Sequence, residues 1–299
     1  MPEFGSTLKH LRQLRGLTQA ALYDGIISRS FAGRLERNQH SLTADKLAQI
    51  LDRLAVSPSE FQFILQDHHH YPSDTALLNH ILVAYDQRNF PRLRHLEQAY
   101  RTSDRPTERD LATLAQLLIR ITDQLHWSLT PEMTALWHRL NAATTWTLSD
   151  FLWAQVWLMI AAVQRDIPQL LAGIAKMHAS CDRYVTADGD AFHVLAYRSS
   201  FDLLAFQILL TLHRDQAARD FRPAFTPPHQ EYLTDSQLLI YRACDAIWEW
   251  YFGDVAAGTA LAQPILALSP LGIATDIGEV LTLYRRKART YRQSQQKGV

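Results

Sequence analysis

Six cationic side chains, Lys9, Arg12, Arg15, Arg29, Arg34 and Arg37, fall in the first 40 residues against three acids, Glu3, Asp24 and Glu36. The whole chain of 299 residues has a formal net charge of zero, so this excess is local to one end. A guanidinium is a planar fork of donors that fits phosphate oxygens and the O6/N7 edge of guanine. Phosphate contacts position a protein on a duplex, and base contacts specify the sequence. Arg29 and Ser30 stand where a helix beginning near Ser28 would meet base edges, with Arg29 the best candidate for a bidentate guanine contact. Arg12, Arg15, Arg34 and Arg37 suit phosphates, and Gln19 suits a bridge between a phosphate and a base.

Those side chains need two short helices to hold them. Thr18 occupies an N-cap position, and Gln19 opens an apolar-periodic run through Ala20, Ala21 and Leu22. Asp24-Gly25 breaks it, because glycine accepts the positive φ of a sharp helix exit. Ser28 caps the second helix, whose Ala32 and Leu35 share a face with Ile27 or Phe31. That leaves Arg29, Ser30, Gly33, Arg34 and Arg37 outward. Leu8, Leu11 and Leu14 mark a helix before this pair. Leu47, Ile50, Leu51 and Leu54 mark one after it, and a fifth begins at Pro58 and buries Phe61 with Ile64 or Leu65.

Five short helices in about 66 residues resemble a lambda-repressor-like helix-turn-helix domain. Gln19, Ile27-Ser28, Leu35-Glu36-Arg37 and Leu47-x-x-Ile50-Leu51 are similar to the XRE-type helix-turn-helix. The strings IISRS (26–30) and RLER (34–37) resemble its Rgg/GadR/MutR group. Asn38 stands where that class often has glycine, and asparagine also tolerates a left-handed helix end. The resemblance implies a cytoplasmic transcription regulator with a helical repeat domain that senses a short signalling peptide. It also implies an internal bond from Glu36 to an arginine such as Arg12 or Arg15. Some relatives link two chains through a cysteine in the DNA reader; no cysteine precedes Cys181 here, so that bond cannot form. Small helical bundles without DNA partners carry the same hydrophobic pattern, which leaves that alternative open.

Composition bounds the remainder. An apolar content of 47% excludes a disordered chain, and the length suits two domains. Cys181 and Cys244 are too few for a disulfide framework, so a reducing cytoplasm is expected. No signal peptide is expected, and the longest apolar run noted, 151–163, is interrupted by Gln155 and falls short of a bilayer span. No P-loop, dinucleotide glycine pattern or HExxH motif occurs, so no enzyme and no cofactor are expected. His178 beside Cys181 lacks an oxyanion site or a third orienting group. His68, His69 and His70 read as a solvated link rather than a metal site.

From about Asp74 onward the pattern is helical and a corner recurs. Arg88-Asn89-Phe90-Pro91 returns as Arg165-Asp166-Ile167-Pro168, and more loosely at Arg214-Asp215-Gln216-Ala217 and Gly253-Asp254-Val255-Ala256. Asn or Asp supplies an N-cap, and Pro or Ala fits the first turn. The caps lie 77, 49 and 39 residues apart, close to one or two units of ~40 residues. The expected fold is therefore all-α, a five-helix reader over 1–66, a linker over 67–74, and a superhelical stack of tetratricopeptide-like helix pairs over 75–299. The concave face of such a stack suits a peptide. Trp153, Trp157, Arg198, Gln207, Tyr241 and Arg242 are the candidates to line it, with Trp146, Tyr197 and Trp248 nearby. Trp146 with Asp150 also resembles a Trp-acid pair near the start of a central helix of the Rgg group.

One reader contacts few base pairs, so tight specific binding to an operator in promoter DNA implies a homodimer. The repeats are the expected dimer maker, and the family resemblance suggests an exchanged arrangement. Two readings follow. One is a homodimeric, cytoplasmic DNA-binding regulator switched by a short peptide pheromone. The other is a protein-interaction scaffold, or a regulator that has no peptide ligand; no membrane partner is expected.

Overall fold

The computed structural model describes residues 4–68, 74–123 and 128–297, and its regular elements there are helices, apart from one isolated bridge between Thr186 and Gly189. Two compact units divide inside one helix, between Ala115 and Gln116. The connection expected at 67–74 falls largely outside the described residues, His69 and His70 included.

The first unit opens with α1 (Phe4–Leu14), α2 (Gln19–Tyr23), α3 (Arg29–Leu35), α4 (Ala44–Leu54) and α5 (Pro58–His68). Helices this short are marginal alone, so a shared core must hold them. That core joins Leu8, Leu11, Leu22, Tyr23, Leu35, Ile50, Leu54, Phe61 and Leu65. Leu14 is a correction: it is 69% exposed, because α1 ends as its apolar stripe leaves the bundle. Helices α6 (Asp74–Asp86) and α7 (Phe90–Tyr100) follow and pack on each other. α8 (Pro106–Asp123) contains the division between the units.

The second unit stacks α9 (Pro131–Ala142), α10 (Leu148–Gln164), α11 (Ile167–Asp182), α12 (Val194–Thr211), α13 (Asp215–Asp220), α14 (Asp235–Phe252), α15 (Val255–Leu268) and α16 (Thr275–Lys297). α10 packs on α9, α11 and α12; α12 on α14; and α14 on α15 and α16. Asn89, Asp166 and Asp254 cap α7, α11 and α15, their side chains accepting from the amides of Arg92 (3.1 Å), Gln169 (3.1 Å) and Ala256 (2.9 Å). Arg88 and Arg165, just before two of these caps, lie at φ 55° and 56°, the left-handed turn that reverses the chain. The corner at 214–217 differs from the expected one. Arg214 takes the cap position and Asp215 is the first helical residue, its carboxylate accepting from the Tyr291 hydroxyl instead.

α12 is long and apolar enough to cross a bilayer, but 61% of it is buried in the stack, as befits a central core helix. Trp157 anchors its neighbourhood. Its ring stacks on Trp137 at 5.1 Å, meets Trp146 edge-on at 5.5 Å, and donates to Asn141 Oδ1 at 2.9 Å. A Cβ at Gly173 would sit 1.9 Å from that ring, so only glycine lets α11 approach.

Candidate nucleic-acid interface and ligand cleft

The reader is held by its caps. The Thr18 hydroxyl accepts from the Ala21 amide at 3.1 Å, and the Ser28 hydroxyl from the Phe31 amide at 3.3 Å. Gly25 turns the chain between α2 and α3 at φ 76°, and Asn38 ends the second helix region at φ 59°. Asn38 also accepts the Ser6 amide at 3.0 Å, tying α1 to the exit of α3. Arg53, which the sequence reading did not single out, reaches from α4 to the Leu22 and Asp24 carbonyls at 3.0 and 2.6 Å. It closes the C-terminal end of α2, and its position near a helix end is the sequence signal that was available. His40, also missed, stacks on Phe31 at 5.0 Å.

The arginines separate into two groups. Arg12 grips Glu36 through two nitrogens, at 2.7 and 3.1 Å, and gives a third bond to the Leu17 carbonyl at 2.8 Å. Gln19 Nε2 adds a bond to the same carboxylate at 2.8 Å. The expected Glu36 bond therefore goes to Arg12, and it corrects the assignment of Arg12 to phosphate, since all of its reach is spent inside the domain. Gln19 is likewise turned inward and only half-exposed. Burial alone would raise the Glu36 pKa, but the hydrogen bonds from Arg12 and Gln19 outweigh it, and the carboxyl lies below its ordinary value. Burial raises the pKa of neighbouring Tyr23.

Ser28, Arg29, Ser30, Arg34 and Arg37 are all exposed on α3 and its flanks. The Ser28 and Ser30 hydroxyls lie 3.3 Å apart, and Arg37 makes one long contact with Gln39 at 3.4 Å. Arg15 is exposed as well, with one nitrogen 3.3 Å from the Ala55 carbonyl. The surface of α3 thus presents cations and hydroxyls with no acid among them, because Glu36 is locked beneath it.

The candidates for the peptide face fare differently. Trp153, Trp157 and Tyr241 are buried, and so is Arg198. These four are corrections, because helices stacked on several sides bury more than one face. Arg198 donates to Asp182 at 2.5 Å and lies 3.8 Å from Asp202. Asp202 also accepts from the Tyr241 hydroxyl at 3.1 Å and pairs with His178 at 2.6 Å, so this is an internal network. Arg242 is exposed, within 4.0 Å of Asp245. Trp146 is buried, donating to the Leu140 carbonyl, and Asp150 accepts from the Thr147 amide at 2.9 Å, which makes that pair a helix start. Burial pushes the Cys181 thiol up to about 12, which keeps it protonated and unreactive.

Gln207 alone of the six lines a cleft of about 730 Å³, with Gln155, Ser200, Leu203, Leu204 and Ile240 and the first turn of α16. Ser200, Leu203, Leu204 and Gln207 follow the spacing i, i+3, i+4, i+7, a stripe on one face of α12. Within an apolar helix Ser200, Leu203 and Leu204 read as core, which is why only Gln207 of the stripe stood out.

The arrangement is that of a helix-turn-helix domain followed by an all-helical repeat unit. Residues 8–61 match the helix-turn-helix family. The whole chain shares its fold with solved structures of low identity. A putative transcriptional regulator from Listeria monocytogenes EGD-e is 19% identical, with a TM-score of 0.71 over 96% of this chain and 98% of that one. The SHP pheromone receptor Rgg2 of Streptococcus dysgalactiae is 16% identical, at 0.71 over 95% and 99%. PrgX in complex with cCF10 is 16% identical, at 0.63 over 95% and 99%. No curated protein matches the chain by sequence.

Proposed function

We propose that this protein is a cytoplasmic transcription regulator that reads an operator in double-stranded DNA as a homodimer and is switched by a short peptide. The observation that carries the reading is the acid-free, exposed face of α3, with Arg29 and Ser30 in its first turn and Glu36 held below it by Arg12. In the major groove, Arg29 would take a guanine edge and Ser30 a neighbouring base or phosphate. Arg34, Arg37 and Arg15 would hold phosphates, while Arg12 and Gln19 set the angle between α2 and α3.

The peptide would lie in the α10–α12–α14 cleft. Gln155, Ser200 and Gln207 offer side-chain partners to its backbone, and Leu203, Leu204 and Ile240 receive its apolar side chains. The fold shared with an SHP pheromone receptor and with PrgX bound to cCF10 supports this choice of ligand. Peptide control requires tighter binding to one state of the dimer than to the other.

The test is fluorescence anisotropy with duplex DNA from beside the gene across a salt series, with and without peptides encoded there. A regulator gives steep salt dependence, loss of specific binding in Arg29→Ala, and an affinity that shifts with one peptide. Binding to no duplex at any salt would sink the reading in favour of a scaffold.

A further inference from the structure

A second cavity, of about 650 Å³, lies along the later turns of α16 and shares no lining residue with the cleft, although the Tyr284 hydroxyl on its wall reaches the Gln207 carbonyl at 3.5 Å. Its volume suits a small molecule. Leu210 and the rings of Tyr251, Tyr284 and Tyr291 form its wall, and His213, Arg286 and Lys287 stand among its polar lining. The Tyr251 and Tyr291 rings are 5.2 Å apart.

The lining of this site carries two cations, Arg286 and Lys287, against one acid. Asp215 is the acid among the described lining residues, and it already accepts the Tyr291 hydroxyl at 2.9 Å. From Val280 to the last residue the sequence has Arg285, Arg286, Lys287, Arg289, Arg292 and Lys297, and no Asp or Glu. Arg292 is spent on the carbonyls at the end of α14, bonding Trp250 at 2.6 Å and Glu249 at 3.1 Å. Arg285 lies over the Trp250 ring at 5.8 Å. Arg286 and Lys287 are exposed and form no ion pair among the described residues; the Lys287 ammonium rests 4.7 Å from the centre of the Tyr284 ring. Two cations without an ion pair among the described residues thus stand beside an aromatic wall.

We propose that this cavity binds a small amphipathic anion, an aromatic body carrying one carboxylate. The carboxylate would meet Lys287 and Arg286, and the ring would lie against Tyr251 and Tyr291. An uncharged aromatic would leave the cations without a partner, and an aliphatic acid would forgo the ring contacts.

Calorimetric titration of the full chain with indole-3-acetate, its neutral amide and octanoate tests this. The aromatic acid is expected to bind, with the amide and octanoate each weaker by about tenfold. Lys287→Gln and Arg286→Gln should each weaken the acid by about tenfold with an unchanged melting temperature, as both side chains are exposed. Leu210→Trp should block the cavity, and Gln207→Ala, in the peptide cleft, should leave the affinity as it was. No binding of the acid, equal binding of acid and amide, or indifference to Lys287→Gln would overturn the proposal. So would loss of binding in Gln207→Ala, which would move the ligand to the cleft. The peptide reading stands or falls separately, because its readouts are DNA affinity and the cleft residues.

Discussion

The reader and the α10–α12–α14 layer treat similar residues in opposite ways. In the reader, one half-buried arginine is held in a pair and the others face water, so the outward positions of α3 carry the candidate chemistry. In the stack, residues with the look of a binding surface, Trp153, Trp157, Arg198 and Tyr241, form the interior, and the open cleft falls to plainer Ser200, Leu203 and Gln207. The difference is one of layers. A short helix at the surface of a small bundle buries one stripe, so its period reports exposure. A helix enclosed by three neighbours buries most of its circumference, and its period reports little.

Core truncation probes the contrast most severely. Trp157→Ala removes a ring stacked on Trp137 and a bond to Asn141, and should cost about 4 kcal/mol in denaturant unfolding. If it instead left stability intact and changed only peptide affinity, Trp157 would be a surface residue and the comparison would fail. Next comes Arg12→Ala, which strands the Glu36 carboxylate and should cost about 3 kcal/mol, read by hydrogen exchange of the α1–α4 amides.

The same pair sets a pH dependence. The folded-state pKa of Glu36 is lowered, so its contribution is complete above the ordinary glutamate value and is lost as pH falls through the lowered one. Exchange protection of α1 and α3 should therefore decline in acid, and Glu36→Gln should flatten that decline. An unaltered acid profile in the variant would show that another group is responsible.

Arg29→Ala should leave stability alone and weaken specific DNA binding by about 10–100-fold, the worth of a bidentate base contact. Equal loss on every duplex would reassign Arg29 to a phosphate. Gln207→Ala, at a half-exposed cleft residue, should likewise change unfolding by no more than about 0.5 kcal/mol. Its effect should appear in peptide affinity, and a large loss of stability would make Gln207 core like Trp157.

Much of the reader was legible because its determinants are local. Thr18, Gly25, Ser28 and Asn38 each act on amides or dihedrals a few residues away, and all four do so in the structure. The caps at Asn89, Asp166 and Asp254 were legible for the same reason. Asp215 was not, because its partner, Tyr291, lies 76 residues further along the chain.

The sequence by itself determined the all-helical class, the five helices of the reader, the cation-bearing face of α3 and the corners that pair later helices. Periodicity and capping act within one or two turns, so they survive in a linear string. Tertiary structure alone decided that Glu36 takes Arg12 rather than Arg15, that Arg198 and Tyr241 belong to a buried network around Asp202, and that Gln207 opens onto a cleft. Those outcomes depend on which helix covers which face, and such contacts join residues that no local spacing connects.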